Sequence, residues 1–360
     1  MSHHPIIKEE NLVERNNLKK GIVTNPTLKC IPYATLALTQ TCPFRCIYCG
    51  NGGEVTISRK KEFNFNELKK IVDIATDLGI EKFRLTGGEP FAYKHIIESI
   101  KYILNKNKYL LINTNGALID KHIRKLVKIK NLDNLHVAVS LDSLNEDIFD
   151  RLSSTKKQRK KVMDNINLLL KYGLLMRINM VVTNYNSGEV EDMILFCKKR
   201  NIDLKLQEVT SVPLPRNDWD TLHYPFKSLE TKLEQISDKK YFHDYAKSYG
   251  IPVLVYKIDN IFVTLKSIHQ GSRYNLKTIC SKCNYLPCHE GLYDIQILPD
   301  LRIATCRWNA FGSGKISGFK KDLKLAIKIF KESEHISYKR IKKMQPLKRK
   351  SHFGLSITPS

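Results

Sequence analysis

Between about residues 33 and 209, short apolar runs alternate with longer amphipathic stretches. The apolar runs predict six strands, at 35–39, 82–85, 109–113, 136–140, 176–182 and 203–208. Asn66 is a capping residue type at the start of a helical stretch that ends near Gly79, and the stretch 160–172 stops at Gly173. Strands that alternate with helices are typical of βα units around a parallel sheet. The pattern therefore predicts an α/β fold, a partial (β/α)6 TIM-like barrel.

Polar and glycine-containing segments follow nearly every predicted strand at its carboxyl end. In parallel βα barrels these loops build the active site. The periodicity weakens after Pro213, where we place a domain boundary. We expect an N-terminal extension at 1–32, the barrel at 33–212, a connecting segment with a second group of cysteines at 213–320, and a basic tail at 321–360 that ends in disorder.

The chain carries 60 Lys and Arg against 36 Asp and Glu, a formal net charge of +24. Such an excess favours a phosphorylated, nucleotide or nucleic-acid partner. Most of it is lysine, however, and the runs 156–161 and 342–350 also fit solvated faces, so we do not expect specific nucleic-acid binding. No apolar run approaches the roughly 20 residues of a membrane span, and the start lacks the apolar stretch of a signal peptide. We expect a cytoplasmic protein without a membrane partner.

Three cysteines, Cys42, Cys46 and Cys49, lie in one loop directly after the first predicted strand. Three thiolates can bind three irons of a 4Fe-4S cluster. The fourth iron then stays open, which suits a metal centre that binds a second molecule. A structural zinc site is the alternative, but it usually has four protein ligands, and no further Cys or His lies within a few residues.

This spacing, Cys-x3-Cys-x-aromatic-Cys, resembles the signature of the radical S-adenosylmethionine (AdoMet) superfamily. The resemblance implies that AdoMet binds the open iron and is cleaved by an electron from the cluster. It also implies a 5'-deoxyadenosyl radical that takes hydrogen from a substrate, and an electron donor such as flavodoxin or ferredoxin. The cofactor would carry the chemistry, while the protein binds, orients and shields.

Further motifs narrow the resemblance to the branch of the GTP 3',8-cyclases of molybdenum-cofactor biosynthesis. They are Arg84-Leu-Thr-Gly-Gly-Glu-Pro90, where glycines let the backbone approach a ligand closely, Asn113-Thr-Asn-Gly116, Ser140-Leu-Asp-Ser143 and Arg177-Ile-Asn179. The residues that the resemblance places at AdoMet are Tyr48, Gly87, Gly88, Glu89, Thr114 and Ser140. Arg84 and Arg177 match basic groups that face the nucleotide substrate, with Arg177 in place of the usual lysine. For Asn115 and Asp142, turn or helix-cap chemistry is an equal alternative.

A second group of cysteines, Cys280, Cys283, Cys288 and Cys306, surrounds a predicted hairpin. Four thiols suffice for a structural zinc ribbon. Joined to a radical AdoMet core, they favour an auxiliary 4Fe-4S cluster, and hence a smaller C-terminal iron-sulfur region. Four ligands also allow a fully ligated cluster, which would suit electron transfer or structural support.

The sequence departs from the cyclases at positions where that family has nucleotide-binding arginines. Thr35, Asp294 and Gln296 occupy these positions, and the chain ends without the paired glycines of the cyclases. A buried carboxylate would repel a triphosphate, so Asp294 argues against GTP.

Three hypotheses stay open. The first is a radical AdoMet enzyme that acts on another small molecule, such as a nucleotide or sugar, or on a peptide. The second is a divergent GTP 3',8-cyclase, and the third is a non-enzymatic metal-cluster protein that binds nucleic acid. No catalytic residue is identified, because Glu208, Tyr285, His289 and Glu290 are candidates only by proximity in sequence.

Overall fold

The computed structural model describes residues 12–14, 33–49, 57–210, 216–243, 253–283, 285–288, 290–307 and 309–344. The strands are β1 (Leu12–Glu14), β2 (Ala34–Ala37), β3 (Lys82–Thr86), β4 (Tyr109–Thr114), β5 (Leu135–Ser140), β6 (Leu175–Val182), β7 (Asp203–Glu208), β8 (Lys239–His243), β9 (Leu254–Ile258), β10 (Ile261–Lys266), β11 (Ser272–Tyr274), β12 (Ile295–Ile297), β13 (Ile303–Cys306), β14 (Asn309–Phe311) and β15 (Glu334–Ile336). The helices are α1 (Phe65–Asp77), α2 (Ile96–Leu104), α3 (Ile119–Leu126), α4 (Glu146–Ser153), α5 (Arg159–Lys171), α6 (Val190–Lys198), α7 (Arg216–Leu222), α8 (Phe226–Ile236), α9 (Ile316–Lys331) and α10 (Tyr338–Lys343).

The six predicted strands are confirmed as β2 to β7, which lie side by side in chain order and pair in parallel. The sheet continues beyond them at both edges. At one edge β10 pairs in parallel with β7, and at the other β12 pairs in parallel with β2. The strand order therefore runs β1-β8-β9-β10-β7-β6-β5-β4-β3-β2-β12-β13-β14, consistent with the expected partial barrel.

The alternation of side chains along these strands separates an apolar face from a polar one. The apolar face is fully buried against the helices in one core, through Leu36, Leu85, Ile112, Val137, Ile178 and Leu204. Burial of each such side chain contributes about 1.5–3 kcal/mol. The neighbouring positions point to the opposite, inner face and include Thr35, Arg84, Asn113, Arg177 and Lys205. Chemistry inside the barrel is thus set by polar side chains.

Two helix ends can be set against the sequence prediction. The side chain of Asn64, not Asn66, caps α1 by accepting the backbone N–H groups of Asn66 and Glu67. The predicted stop of α5 at Gly173 is confirmed, because Gly173 has a φ of +67° that favours glycine.

The position of Pro213 lies outside the described residues, so the division into four segments stays a prediction. In the part of the chain that the structure describes, no helix has the length and apolar character needed to cross a membrane.

Candidate functional site

The loop with Cys42, Cys46 and Cys49 follows the carboxyl end of β2. Cys42 and Cys46 are partly buried and Cys49 is exposed. Backbone N–H groups of Arg45 and Ile47 donate to carbonyls at the end of α4, both at 3.0 Å. This helix therefore holds the loop.

The positions of these three thiols decide whether they can bind one metal ion or a cluster. Across the described ranges, no three His, Cys, Asp or Glu side chains converge as ligands of a single ion. In an iron-sulfur cluster each thiolate binds a different iron, so the thiols need not meet at one point. The donor set of three thiols fits such a cluster.

Hydrogen-bond donors point at the first of these thiols. Cys42 Sγ accepts from the backbone N–H of Phe44 at 3.4 Å and from Asn115 Nδ2 at 3.5 Å. Burial raises the pKa of Cys42 to about 11, and these two donors oppose that rise. They favour the thiolate that a metal needs, because both interact better with a negative sulfur.

Gly87 and Gly88 lie against the strand-to-loop segment that leads to Cys42. A Cβ atom on Gly87 would come within 2.6 Å of the Thr39 carbonyl oxygen, and one on Gly88 within 2.6 Å of the Thr41 carbonyl oxygen. The N–H of Gly88 also donates to Thr39 O at 2.6 Å. The close approach predicted for these glycines is therefore made to the chain's own backbone, and it supports the cysteine loop. Their contact with AdoMet stays a prediction.

Glu89 connects the glycine turn to the end of β4. Its carboxylate is fully buried and accepts from the N–H of Phe91 (2.9 Å), Thr114 Oγ1 (2.7 Å) and the N–H of Asn115 (2.8 Å). Burial raises the pKa of Glu89 to about 7, with the three hydrogen bonds opposing it. Through Asn115 this network reaches Cys42, so Glu89 and Thr114 lie in one site with the first thiol.

Tyr48 donates its hydroxyl to the carboxylate of Asp142, just after β5. The other carboxylate oxygen of Asp142 accepts the N–H of Val181 at 2.8 Å. Burial raises the pKa of Asp142 to about 6. Asp142 thus positions Tyr48 instead of forming only a turn, a role that sequence reasoning missed. Ser140 ends β5 in register with Asn179 of β6, on the same face of the sheet.

The inner face places Arg84 in a buried ion pair that the sequence analysis did not foresee. The Arg84 guanidinium donates to Asp294, and its Nε donates to Thr35 Oγ1 at 3.1 Å. Thr35 donates to the same carboxylate oxygen of Asp294. The side chains of Arg84 and Asp294 are 17% and 4% exposed. The sequence analysis identified Asp294 as unusual, but no local sequence pattern indicates that Arg84 is its partner.

Arg177 lies on the same inner face and is partly buried. Its Nε donates to Asn179 Oδ1 at 2.9 Å. Burial lowers the pKa of Arg177, and the positive charge of Arg84 adds to the decrease. The structure thus brings the two predicted substrate-binding arginines to one face.

The four cysteines of the second group line one pocket, although within the described residues no three of their thiols meet around a single ion. The cavity is lined by Cys280, Cys283, Cys288, Cys306 and other side chains that include Tyr274 and Glu290. Burial raises the pKa of Cys280 to about 12 and that of Cys288 to about 11. Backbone groups of Glu290 and Gly291 oppose the rise at Cys288. The donor set of four thiols fits a cluster in which each thiolate binds a different iron.

Two of the side chains considered as general bases, Glu208 and Glu290, form hydrogen bonds with other residues. Glu208 accepts from Ser267 Oγ at 2.9 Å and lies 2.9 Å from His223 Nε2. Glu290 accepts the hydroxyl of Thr210. Tyr285 is 51% exposed beside the second cavity, and His289 lies outside the described residues.

The family model described as "Radical SAM superfamily" matches residues 36–197. A probable GTP 3',8-cyclase of Methanocella arvoryzae is 30% identical over 73% of this chain and 85% of its own length. The GTP 3',8-cyclase of Alkaliphilus oremlandii is 32% identical over 76% of this chain and 85% of its own. For a probable GTP 3',8-cyclase of Thermococcus kodakarensis, 33% identical, the match covers 56% of this chain and only 65% of the relative.

Solved structures share the fold at low sequence identity. Streptococcus suis SuiB bound to S-adenosylmethionine has a TM-score of 0.54 and 17% identity, over 78% of this chain and 61% of that one. The protein anSMEcpe with bound AdoMet and a peptide has a TM-score of 0.53 and 16% identity, over 83% of this chain and 81% of that one. These similarities support the partial barrel.

Proposed function

The chain belongs to the radical AdoMet superfamily and is an enzyme related to the GTP 3',8-cyclases, and we propose that its substrate is not GTP. The substrate would instead be a sugar, nucleoside or other small molecule without a triphosphate, or a peptide. When bound, the first cluster and AdoMet together supply a 5'-deoxyadenosyl radical that takes hydrogen from that substrate.

In this proposal Cys42, Cys46 and Cys49 hold three irons of the first 4Fe-4S cluster. Asn115 and the N–H of Phe44 stabilise the charge on Cys42. The glycine turn keeps the loop in place by its backbone contacts. These residues bind and orient the cofactor, and they leave the remaining iron site free for AdoMet.

The AdoMet contacts follow from the family resemblance, at Tyr48, Gly87, Gly88, Glu89, Thr114 and Ser140. Glu89 is suited to this role although it is already hydrogen-bonded. Its Oε2 accepts one hydrogen bond, from Asn115, whereas a carboxylate oxygen can accept two. An ammonium group that reached this buried oxygen would find a free lone pair, and the bonds to Phe91 and Thr114 would fix the carboxylate's orientation.

The ion pair between Arg84 and Asp294 carries the proposal about the substrate. A triphosphate needs cations that are not already neutralised, but Arg84 donates to a buried carboxylate. Two unit charges 4 Å apart interact with about 4 kcal/mol at an effective dielectric constant of about 20. Asp294 would therefore offset much of what Arg84 could offer a phosphate.

The thiols of Cys280, Cys283, Cys288 and Cys306 would hold a second, fully ligated 4Fe-4S cluster. All four thiols line one pocket, and this supports a cluster in which each thiolate binds its own iron. Because no iron would be left open, this cluster would transfer electrons or stabilise the region and would not bind the substrate.

A divergent GTP 3',8-cyclase is the second candidate function. It is favoured by the relatives that carry this name at 30% to 33% identity. Arg177 also offers a second guanidinium on the inner face.

One experiment separates the two functions. The protein is reconstituted anaerobically with iron and sulfide, reduced with dithionite, and assayed for 5'-deoxyadenosine from AdoMet with and without GTP, while GTP is followed by mass spectrometry. Deoxyadenosine without loss of GTP supports the proposal, and a cyclised GTP product formed in step with deoxyadenosine contradicts it. The Cys42→Ala variant is the control and should form no deoxyadenosine.

A further inference from the structure

Six exposed basic side chains lie around the second cysteine cavity. We call them the basic surface, and they are Lys277, Lys282, Lys339, Arg340, Lys342 and Lys343. They come from two segments far apart in the chain, the loop that carries Cys280 and Cys283 and the helix α10.

Packing brings the two segments together. Ile341 on α10 is 2% exposed and belongs to an apolar cluster with Tyr274, Cys280 and Leu286, against which Cys283 and Cys288 also pack. The buried side of α10 therefore covers the cysteine loop, and its basic side chains remain at the surface. A molecule bound there would lie next to the four thiols.

Within the described residues, no acidic side chain is paired with this basic surface. Residues 269–288 and 335–344 contain no Asp or Glu, and of the acids that flank them Glu290 is 5% exposed and Glu334 is partly buried. Within the described ranges, none of the six side chains forms an ion pair, whereas other exposed lysines do, for example Lys160 with Asp164 and Lys328 with Glu332. Six like charges on one patch attract an acidic partner and speed its association.

We propose that the basic surface is the docking site of a small, acidic, one-electron donor protein. The inference rests on the proposed function, because it assigns a partner to the second cluster. The donor would lose one electron and the iron-sulfur centre at Cys280, Cys283, Cys288 and Cys306 would gain it, with no bond made or broken. Electron-transfer complexes have small interfaces, below about 1,200 Å², and a patch of six side chains is adequate for such a contact.

The test uses an acidic flavodoxin as the probe and the reconstituted full-length enzyme. The variant Lys339→Glu/Lys342→Glu/Lys343→Glu reverses three charges of the basic surface. The matched control, Lys121→Glu/Lys125→Glu/Lys128→Glu, reverses three exposed lysines on and just after α3 that also lack an ion pair in the described residues. Because both variants change the net charge equally, a difference between them reports the location of the partner.

We expect the Kd for flavodoxin to rise at least about tenfold in the first variant and to stay within about twofold in the control. Wild-type binding should weaken as salt is added. Flavodoxin-driven formation of 5'-deoxyadenosine should fall in parallel, whereas the dithionite-driven rates of the two variants should agree. The corresponding Lys→Gln triple variants give the same comparison if glutamates near the end of α10 disturb its folding.

Absence of flavodoxin binding to the wild type would overturn the proposal, as would equal losses in both variants. Tighter binding of a single-stranded oligonucleotide through the same three lysines would overturn it in favour of nucleic acid. A wild-type enzyme that forms no deoxyadenosine with dithionite would refute the proposed function, and the binding comparison would still test the surface.

Discussion

Replacement of Asp294 by Asn tests whether this carboxylate neutralises Arg84. Asparagine keeps the shape of the side chain and can still accept from Thr35, but it removes the charge that faces the guanidinium. Arg84 is only 17% exposed, and loss of one partner of a buried pair costs about 3–5 kcal/mol. We expect a loss near the lower limit, about 3 kcal/mol, because the amide oxygen still accepts hydrogen bonds.

The same change should create an anion site. A charge-assisted hydrogen bond contributes about 1.5–3 kcal/mol, so inorganic tripolyphosphate should bind Asp294→Asn roughly ten- to a hundredfold more tightly than the wild type. Isothermal titration calorimetry measures the affinity, and urea unfolding under anaerobic conditions measures the stability.

A second ion pair provides the control. Arg302 donates to Asp300 at 2.8 Å, and the two side chains are 17% and 7% exposed, similar to Arg84 and Asp294. Asp300→Asn should therefore cost comparable stability without a gain in tripolyphosphate affinity. Equal gains in both variants, or a wild type that already binds as tightly as Asp294→Asn, would refute the assignment of Arg84 as a neutralised cation.

Three further predictions concern the cysteine loops and the barrel. Gly88→Ala should disorder the first cysteine loop, because its Cβ would lie 2.6 Å from a backbone oxygen. The iron content should then fall from about eight to about four per chain and deoxyadenosine formation at least tenfold, whereas Gly188→Ala, with no atom within 4 Å, should have little effect on either measurement. Cys283→Ala should lower the iron content from about eight to about four per chain, and Cys197→Ala, in the core of α6, should leave it unchanged. Burial raises the pKa of Asp203 to about 6, so its neutral form stabilises the fold at low pH and this stability is lost as the pH rises from about 4 to 6. Urea unfolding should thus show Asp203→Asn to be more stable than the wild type by about 2–3 kcal/mol above pH 6, and an equal difference at pH 4 would contradict the assignment.

The sequence was sufficient for the elements whose signals are local. An apolar side chain at every second position, as at Leu85 and Ile112, requires a strand with one face in the core. The spacing of Cys42, Cys46 and Cys49 within one loop is likewise a short-range feature, because it does not depend on how the rest of the chain folds. The helix that ends before Gly173 follows from the positive φ that this residue adopts.

The tertiary structure decided what depends on contacts between distant segments. Arg84 and Asp294 are 210 positions apart and meet only because β12 pairs in parallel with β2, which in turn pairs with β3. Local patterns do not encode which strand lies next to which, or in what register, since those choices follow from the packing of the whole sheet. The same holds for α10, whose apolar side covers the second cysteine loop. The sequence alone thus predicted the six central strands and, through the family resemblance, the cofactor chemistry, whereas the folded chain determined the pairing of Arg84 with Asp294 and the packing of α10 on the second cysteine loop.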